Sequence, residues 1–192
     1  LFDFSSNSTV YVGIGTVVED DADNAIAASS TIFMTGIPDV IGPAVSNVTS
    51  SNSNGSYTAG ASITINIDFN EVSIVEGTPH LTLMTGIDNE LYAFGNAYYS
   101  TGSGTKTLDF IYVVTEEQNT SDLDYIDGNA LSANPQYGNS IKDFVGNNAN
   151  LTLPNPGAEG SLGANKDIVI DNTRPGVASV SSSTADGAYK VG

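Results

Sequence analysis

Over two long stretches of the chain, apolar residues recur at every second position. Ile63, Ile65, Ile67 and Phe69 alternate with Ser62, Thr64, Asn66 and Asp68. Successive side chains of a strand point to opposite faces, so this stretch predicts a strand with one buried face and one wet face. Leu108, Phe110, Tyr112 and Val114 alternate in the same way with Thr107, Asp109, Ile111 and Val113. Here both faces are partly apolar, which predicts a central strand. Shorter strands are expected at residues 45–51, 72–75, 80–84, 91–97, 151–153 and 167–170. Turn pairs such as Asn54-Gly55, Glu76-Gly77 and Asp127-Gly128 separate them. No window carries the apolar period of a long amphipathic helix. Roughly seven to nine short strands at this spacing predict an all-β fold, an immunoglobulin-like Greek-key β-sandwich.

A second pattern has a much longer period. The segment from Pro43 to Gly60 returns without a gap from Pro175 to Gly192, each position 132 residues on. Identities fall at Pro43/Pro175, Val45/Val177, Val48/Val180, Ser50/Ser182, Ser51/Ser183, Gly55/Gly187, Tyr57/Tyr189 and Gly60/Gly192. Eight matches in eighteen positions are hard to obtain by chance, even in a Ser- and Gly-rich chain. The period is too long for a solenoid and matches the size of one sandwich domain. A tandem module is therefore expected. Residues 43–173 form the complete sandwich repeat and 174–192 start the next one. Residues 1–42 are the tail of an upstream module, or an N-terminal adaptor or donor segment. Leu1 is not a start methionine, so the chain is expected to be a processed product or a piece of something longer.

Charge narrows the function classes. The 22 acidic and 5 basic residues give a formal net charge of −17. Such a surface repels phosphate backbones and anionic lipid, which argues against nucleic-acid binding. No apolar stretch reaches the length of a transmembrane helix, so no membrane insertion is expected. The positive partner most readily supplied to so many oxygen ligands is a hard divalent cation, calcium above all. A surface kept acidic for solubility is the alternative. The absence of cysteine excludes disulfides, zinc–thiolate sites and thiol chemistry.

Several short motifs then look familiar. They are Gly55-Ser56-Tyr57-Thr58-Ala59-Gly60, Ser121-Asp122-Leu123-Asp124-Tyr125, Ile141-Lys142-Asp143 with Gly146-Asn147, Leu151-Thr152-Leu153-Pro154, and Ile168-Val169-Ile170-Asp171 ahead of Pro175. With them, residues 42–192 resemble the long Ig-like or cadherin-like tandem repeats of giant bacterial surface proteins and RTX-type adhesins. The resemblance implies a secreted, extracellular or cell-surface chain. Its modules would space and stiffen a stalk, often with calcium at domain junctions. The partners it implies are adjacent repeats of the same chain.

Three groups of residues are candidates for holding calcium. Asp122, Asp124 and Asp127 lie in one loop with Gly128 and Asn129, where alternate side chains can converge on a cation. Asp143 and Asn147 are available from a neighbouring loop. A capped, solvated turn is the competing reading. Asp171-Asn172-Thr173-Arg174-Pro175 looks like the linkers of cadherin-like chains, with Glu71 as a partner for a junction site. The upstream counterpart of Asp171 is Asp39, followed by Val40 in place of Asn172. The run Glu19-Asp20-Asp21-Ala22-Asp23-Asn24 is the densest charge in the chain, and charge runs are usually solvated loops.

Catalysis is not expected. His80 is the one histidine, no Gly-x-Ser-x-Gly turn is present, and nothing selects a pair among the carboxylates. Tyr92, Tyr98, Tyr99, Tyr112 and Tyr125 raise the alternative of a carbohydrate-binding face for surface glycans, against the commoner reading of core tyrosines. A second alternative is a filament subunit that joins other copies by lending a strand to an open sheet edge. The donors would be Phe2, Phe4, Val10 and Val12 at the start, or Val177 and Val180 near the end.

Overall fold

The computed structural model describes residues 39–88 and 91–192, without the side chains of residues 87, 88, 91 and 92. Contacts divide the chain into two units, Leu1–Val40 and Ile41–Gly192. The second is an all-β sandwich. Its strands begin with β1 (Val45–Ser50), β2 (Gly55–Tyr57), β3 (Ser62–Glu76), β4 (His80–Asp88), β5 (Leu91–Thr101) and β6 (Thr105–Val113). The shorter β7 (Asp124–Tyr125), β8 (Leu131–Ser132) and β9 (Ser140–Lys142) follow, then one helical turn, α1 (Leu162–Asn165), and β10 (Ile168–Ile170).

The alternating stretch around Ile65 forms the spine. β3 pairs antiparallel with β1 and β6, setting Ile67 opposite Val48 and Ile65 opposite Phe110. The sheet runs β1-β3-β6-β5-β4-β7, so β6 is central, as its two-faced apolar pattern predicts. β4, β5 and β6 are consecutive neighbours, while β3 lies beside β6 instead of β4. That is the Greek-key order. β8 and β9 pair with β4 and β3, and β2 pairs parallel with β10 in a second, two-stranded sheet.

The inward positions of the alternation are the core. Ile63, Ile65 and Ile67 are fully buried, as are Leu81, Leu83, Leu108 and Phe110. Each such side chain contributes about 1.5–3 kcal/mol through the apolar surface it removes from water. Tyr112 and Tyr125 join this core with their hydroxyls satisfied. The Tyr112 hydroxyl donates to the Gln118 side-chain carbonyl, and the Tyr125 hydroxyl donates to the Pro154 carbonyl at 2.6 Å. Burial pushes the Tyr112 phenol up to about 12.

Two sequence expectations change. The stretches at 63–69 and 72–75 are one strand, because β3 continues to Glu76 through an irregularity between Asp68 and Ser73. Asn70 and Glu71 place two polar residues in succession, which breaks the alternation, and a bulge absorbs the extra residues. Beyond it β3 pairs with β9, Val75 lying opposite Ile141. Residues 151–153 form no strand. Leu153 is buried, but the Thr152 N–H donates to the Asn150 side chain and the Leu153 N–H to the Gly128 carbonyl. Pro154 has no N–H with which to continue a ladder.

The regular part of β3, from Ser62 to Phe69, spans roughly 23 Å at about 3.3 Å per residue. β1 begins opposite Phe69. At the other end, near Ser62, Ala59 donates its N–H to the Asn172 side chain. Glu71 and Asn172 therefore belong to opposite ends of the sandwich.

Candidate metal centre

The end at which β1 begins carries the tightest acidic group. Glu71 sits in the irregular middle of β3, half-buried. Asp143 follows β9 and opens a tight loop. Its Oδ1 accepts the backbone N–H groups of Val145, Gly146 and Asn147 at 2.9, 2.6 and 2.8 Å. Its Oδ2 accepts the Asn147 Nδ2 at 2.7 Å. The loop thus wraps its own carboxylate in aligned N–H dipoles. Burial alone would raise the Asp143 carboxyl, but these donors outweigh it and hold the group below the ordinary 3.8. A buried aspartate stays ionised at neutral pH because four donors face its charge.

Asp39, Glu71 and Asp143 each present one carboxylate oxygen, and the three oxygens lie within 4.8 Å of one another. Asp39 is exposed, Glu71 half-buried and Asp143 buried. This triad could hold a metal ion: it is an all-oxygen donor set of high negative charge, which suits a hard cation. Without a cation, like charges so close repel one another.

The other candidates from the sequence are distributed as follows. Glu71 and Asp143 come together, and Asn147 anchors Asp143 through its amide nitrogen. Asp122 and Asp124 come together elsewhere, beside Gly163 in α1. Their Oδ2 atoms lie 3.1 and 2.9 Å from where a Gly163 Cβ would stand. Asp124 already accepts the N–H groups of Tyr125 and Gly157, both at 2.9 Å. The Asp122 carboxyl is raised, first by burial and then by the charges of Asp124 and Asp167. Asp127 caps its own turn, accepting the Asn129 N–H at 2.6 Å.

At the opposite end Asp171 accepts the Thr173 N–H at 3.0 Å. Asn172 acts as a peg. Its Oδ1 accepts from Ala59 at 2.7 Å, and its Nδ2 donates to the carbonyls of Thr115 and Gln118 at 3.0 and 2.7 Å. An open polar cleft of about 460 Å³ lies there, lined by Glu116, Glu117, Asn119, Asn172 and Arg174. Among the described residues, the three-carboxylate group found at metal-ligand spacing is Asp39, Glu71 and Asp143. Asp39 was not among the ligands read from the sequence; its register match with Asp171 was the available signal.

The tyrosines divide by face. Tyr112 and Tyr125 are core, Tyr99 packs edge-on against Phe110 at 5.9 Å, and Tyr98 is exposed with its ring 6.1 Å from that of His80. The acidic run from Glu19 to Asn24 lies outside the described residues, as do Phe2, Phe4, Val10 and Val12 and the side chain of Tyr92. Comparison with protein-family models, with curated proteins and with solved structures finds no match.

Proposed function

We propose that this chain is a structural spacer module of a large extracellular repeat protein, of the Ig-like or cadherin-like kind found in bacterial surface adhesins, and that calcium stiffens it by binding Asp39, Glu71 and Asp143. The observation that carries the reading is the triad itself, three carboxylate oxygens within 4.8 Å of one another. Asp39 lies just ahead of β1 in the chain, and the repeat register makes it the counterpart of Asp171 at the far end of the module. Ligand exchange at the triad costs little reorganisation, because Asp143 is already charged and fixed by backbone donors. The net charge of −17 favours cation uptake over any anionic partner.

The test is a calcium titration of the chain, followed by thermal melting, with EGTA and magnesium as controls. With calcium at a hundredfold excess over its Kd, linkage adds about 2.7 kcal/mol, a rise of about 5–10 °C for a domain of this size. Glu71→Gln and Asp39→Asn should each cut that rise while keeping the calcium-free melting temperature close to that of the parent. A parent that melts identically in calcium and in EGTA would sink the reading. So would a calcium response that neither substitution changes.

A further inference from the structure

One face of the main sheet packs on the core, and the other leaves aromatic rings in water. On β5 the inward positions are Gly95, set against Tyr112 and Thr85, and the buried Ala97. Alternation therefore puts Phe94, Asn96 and Tyr98 on the outer side. Phe94 and Tyr98 are 55% and 54% exposed. On the neighbouring β6, Ile111 lies opposite Tyr98, and Val113 follows on the same side. These two are 37% and 54% exposed.

The residues between and beside the rings carry no carboxylate, although the chain has 22 acids. His80 on β4 lies opposite Tyr98, with the two rings 6.1 Å apart. Thr82 lies opposite Asn96, and its hydroxyl donates to the Asn96 Oδ1 at 3.1 Å. That bond fixes the amide and leaves its Nδ2 to donate to a ligand. The acid of β6, Asp109, is engaged by the Asn66 amide at 2.7 Å.

Area and charge select the occupant. A Phe or Tyr side chain presents about 150–250 Å² when fully exposed, so the two rings with Ile111 and Val113 offer about 300 Å². A stable protein interface takes about 800 Å² from each partner. A second copy would also bring its own charge of −17 against this one. An uncharged sugar chain meets neither obstacle. Its pyranose C–H faces stack on aromatic rings, and its hydroxyls bond to amides and hydroxyls placed between them. Phe94 and Tyr98 are four residues apart on one strand, about 13 Å at 3.3 Å per residue. That span exceeds one sugar and calls for a chain of them.

We propose that the row Phe94, Asn96 and Tyr98 on β5 is a binding platform for an extended, neutral glycan with equatorial linkages of the cellulose or chitin type. Each ring stacks on one sugar, and Asn96 donates to a hydroxyl between them. Equatorial linkages give such a chain flat C–H faces that match rings standing in line on a flat sheet. The platform shares no residue with Asp39, Glu71 and Asp143, and its test is run in EGTA, so it stands or falls apart from the calcium reading.

The experiment is isothermal titration calorimetry of the intact chain with cellohexaose and with chitohexaose, with polygalacturonate as an anionic control and sedimentation to follow self-association. Saturable binding of a neutral hexaose is expected, and none of polygalacturonate. Tyr98→Ala and Phe94→Ala should each weaken binding about tenfold, whereas Tyr98→Phe, which keeps the ring, should retain most of it. Phe144→Ala, which removes an exposed ring from the loop after β9, should change nothing. Circular dichroism checks that each variant keeps its sheet. No saturable binding of either neutral hexaose would overturn the proposal, as would binding that survives both alanine variants. Self-association that Tyr98→Ala abolishes would overturn it too, by assigning the face to a second copy.

Discussion

Two loops of this sandwich hold aspartates in opposite electrostatic states. After β9, Asp143 faces three backbone N–H groups and one amide, and its carboxyl sits below the ordinary value. Around α1, Asp122 is partly buried and also faces Asp124 and Asp167, and its carboxyl sits above it. Residue type is the same in both, so the difference lies in what the backbone aims at each carboxylate. A loop that turns its N–H groups inward makes a buried charge stable, whereas a cluster of acids without such donors stores repulsion.

Removing the charge at each site should break this contrast in opposite directions. Asp143→Ala leaves three part-buried N–H groups without their acceptor and should cost about 3 kcal/mol, read as a lower midpoint in urea unfolding. Two glycines then separate the causes. Gly146 has φ 100° with nothing near its absent Cβ, so Gly146→Ala should lose about 1–2 kcal/mol through backbone strain alone. Gly163 has no such φ, but its Cβ would stand 2.9 Å from Asp124 Oδ2. Gly163→Ala should lose about 1 kcal/mol by displacing the bond from the Gly157 N–H to Asp124. The smallest effect is a gain. Asp122→Asn relieves the repulsion and should stabilise the exposed loop by less than about 1 kcal/mol.

Acid titration sharpens the same comparison. The Asp143 carboxyl is depressed in the fold, so its contribution is whole above the unfolded value near 3.8 and is lost as pH falls through its folded value. The Asp122 carboxyl is raised, so the fold takes up a proton before the unfolded chain does. Stability therefore grows as pH falls from its folded value towards 3.8. Asp122→Asn should flatten the slope above 3.8 and Asp143→Asn the slope below it, measured as unfolding free energy against pH. A parent chain whose two slopes share one sign would refute this account.

Much of the fold was legible because its signals act over a few residues. The alternation around Ile65 and Phe110 identified β3 and β6, and the apolar outer face of the latter marked it as central. The 132-residue register identified Val177 and Val180 as counterparts of Val45 and Val48. Strands of two or three residues such as β7, β8 and β9 left no period to read. The candidate site was half legible. Glu71, Asp143 and Asn147 were named among the oxygen ligands, but only as accessories to other groups, and the loop of Asp122 and Asp124 was placed ahead of them.

By itself, then, the sequence determined the pleat of the long strands, the excess of carboxylates and the repeat. It also determined the turn that Ser182 and Tyr189 close with no sheet around them, since those bonds reach only two and four residues along the chain. Tertiary structure alone decided which acids meet. The β3 irregularity that swings its second half onto β9 brings Glu71 to Asp143, and the pairing of β1 with β3 buries Val48 while Val180 stays in water. Those outcomes depend on contacts between residues far apart in sequence, whose free energy is gained only once the whole sandwich has closed.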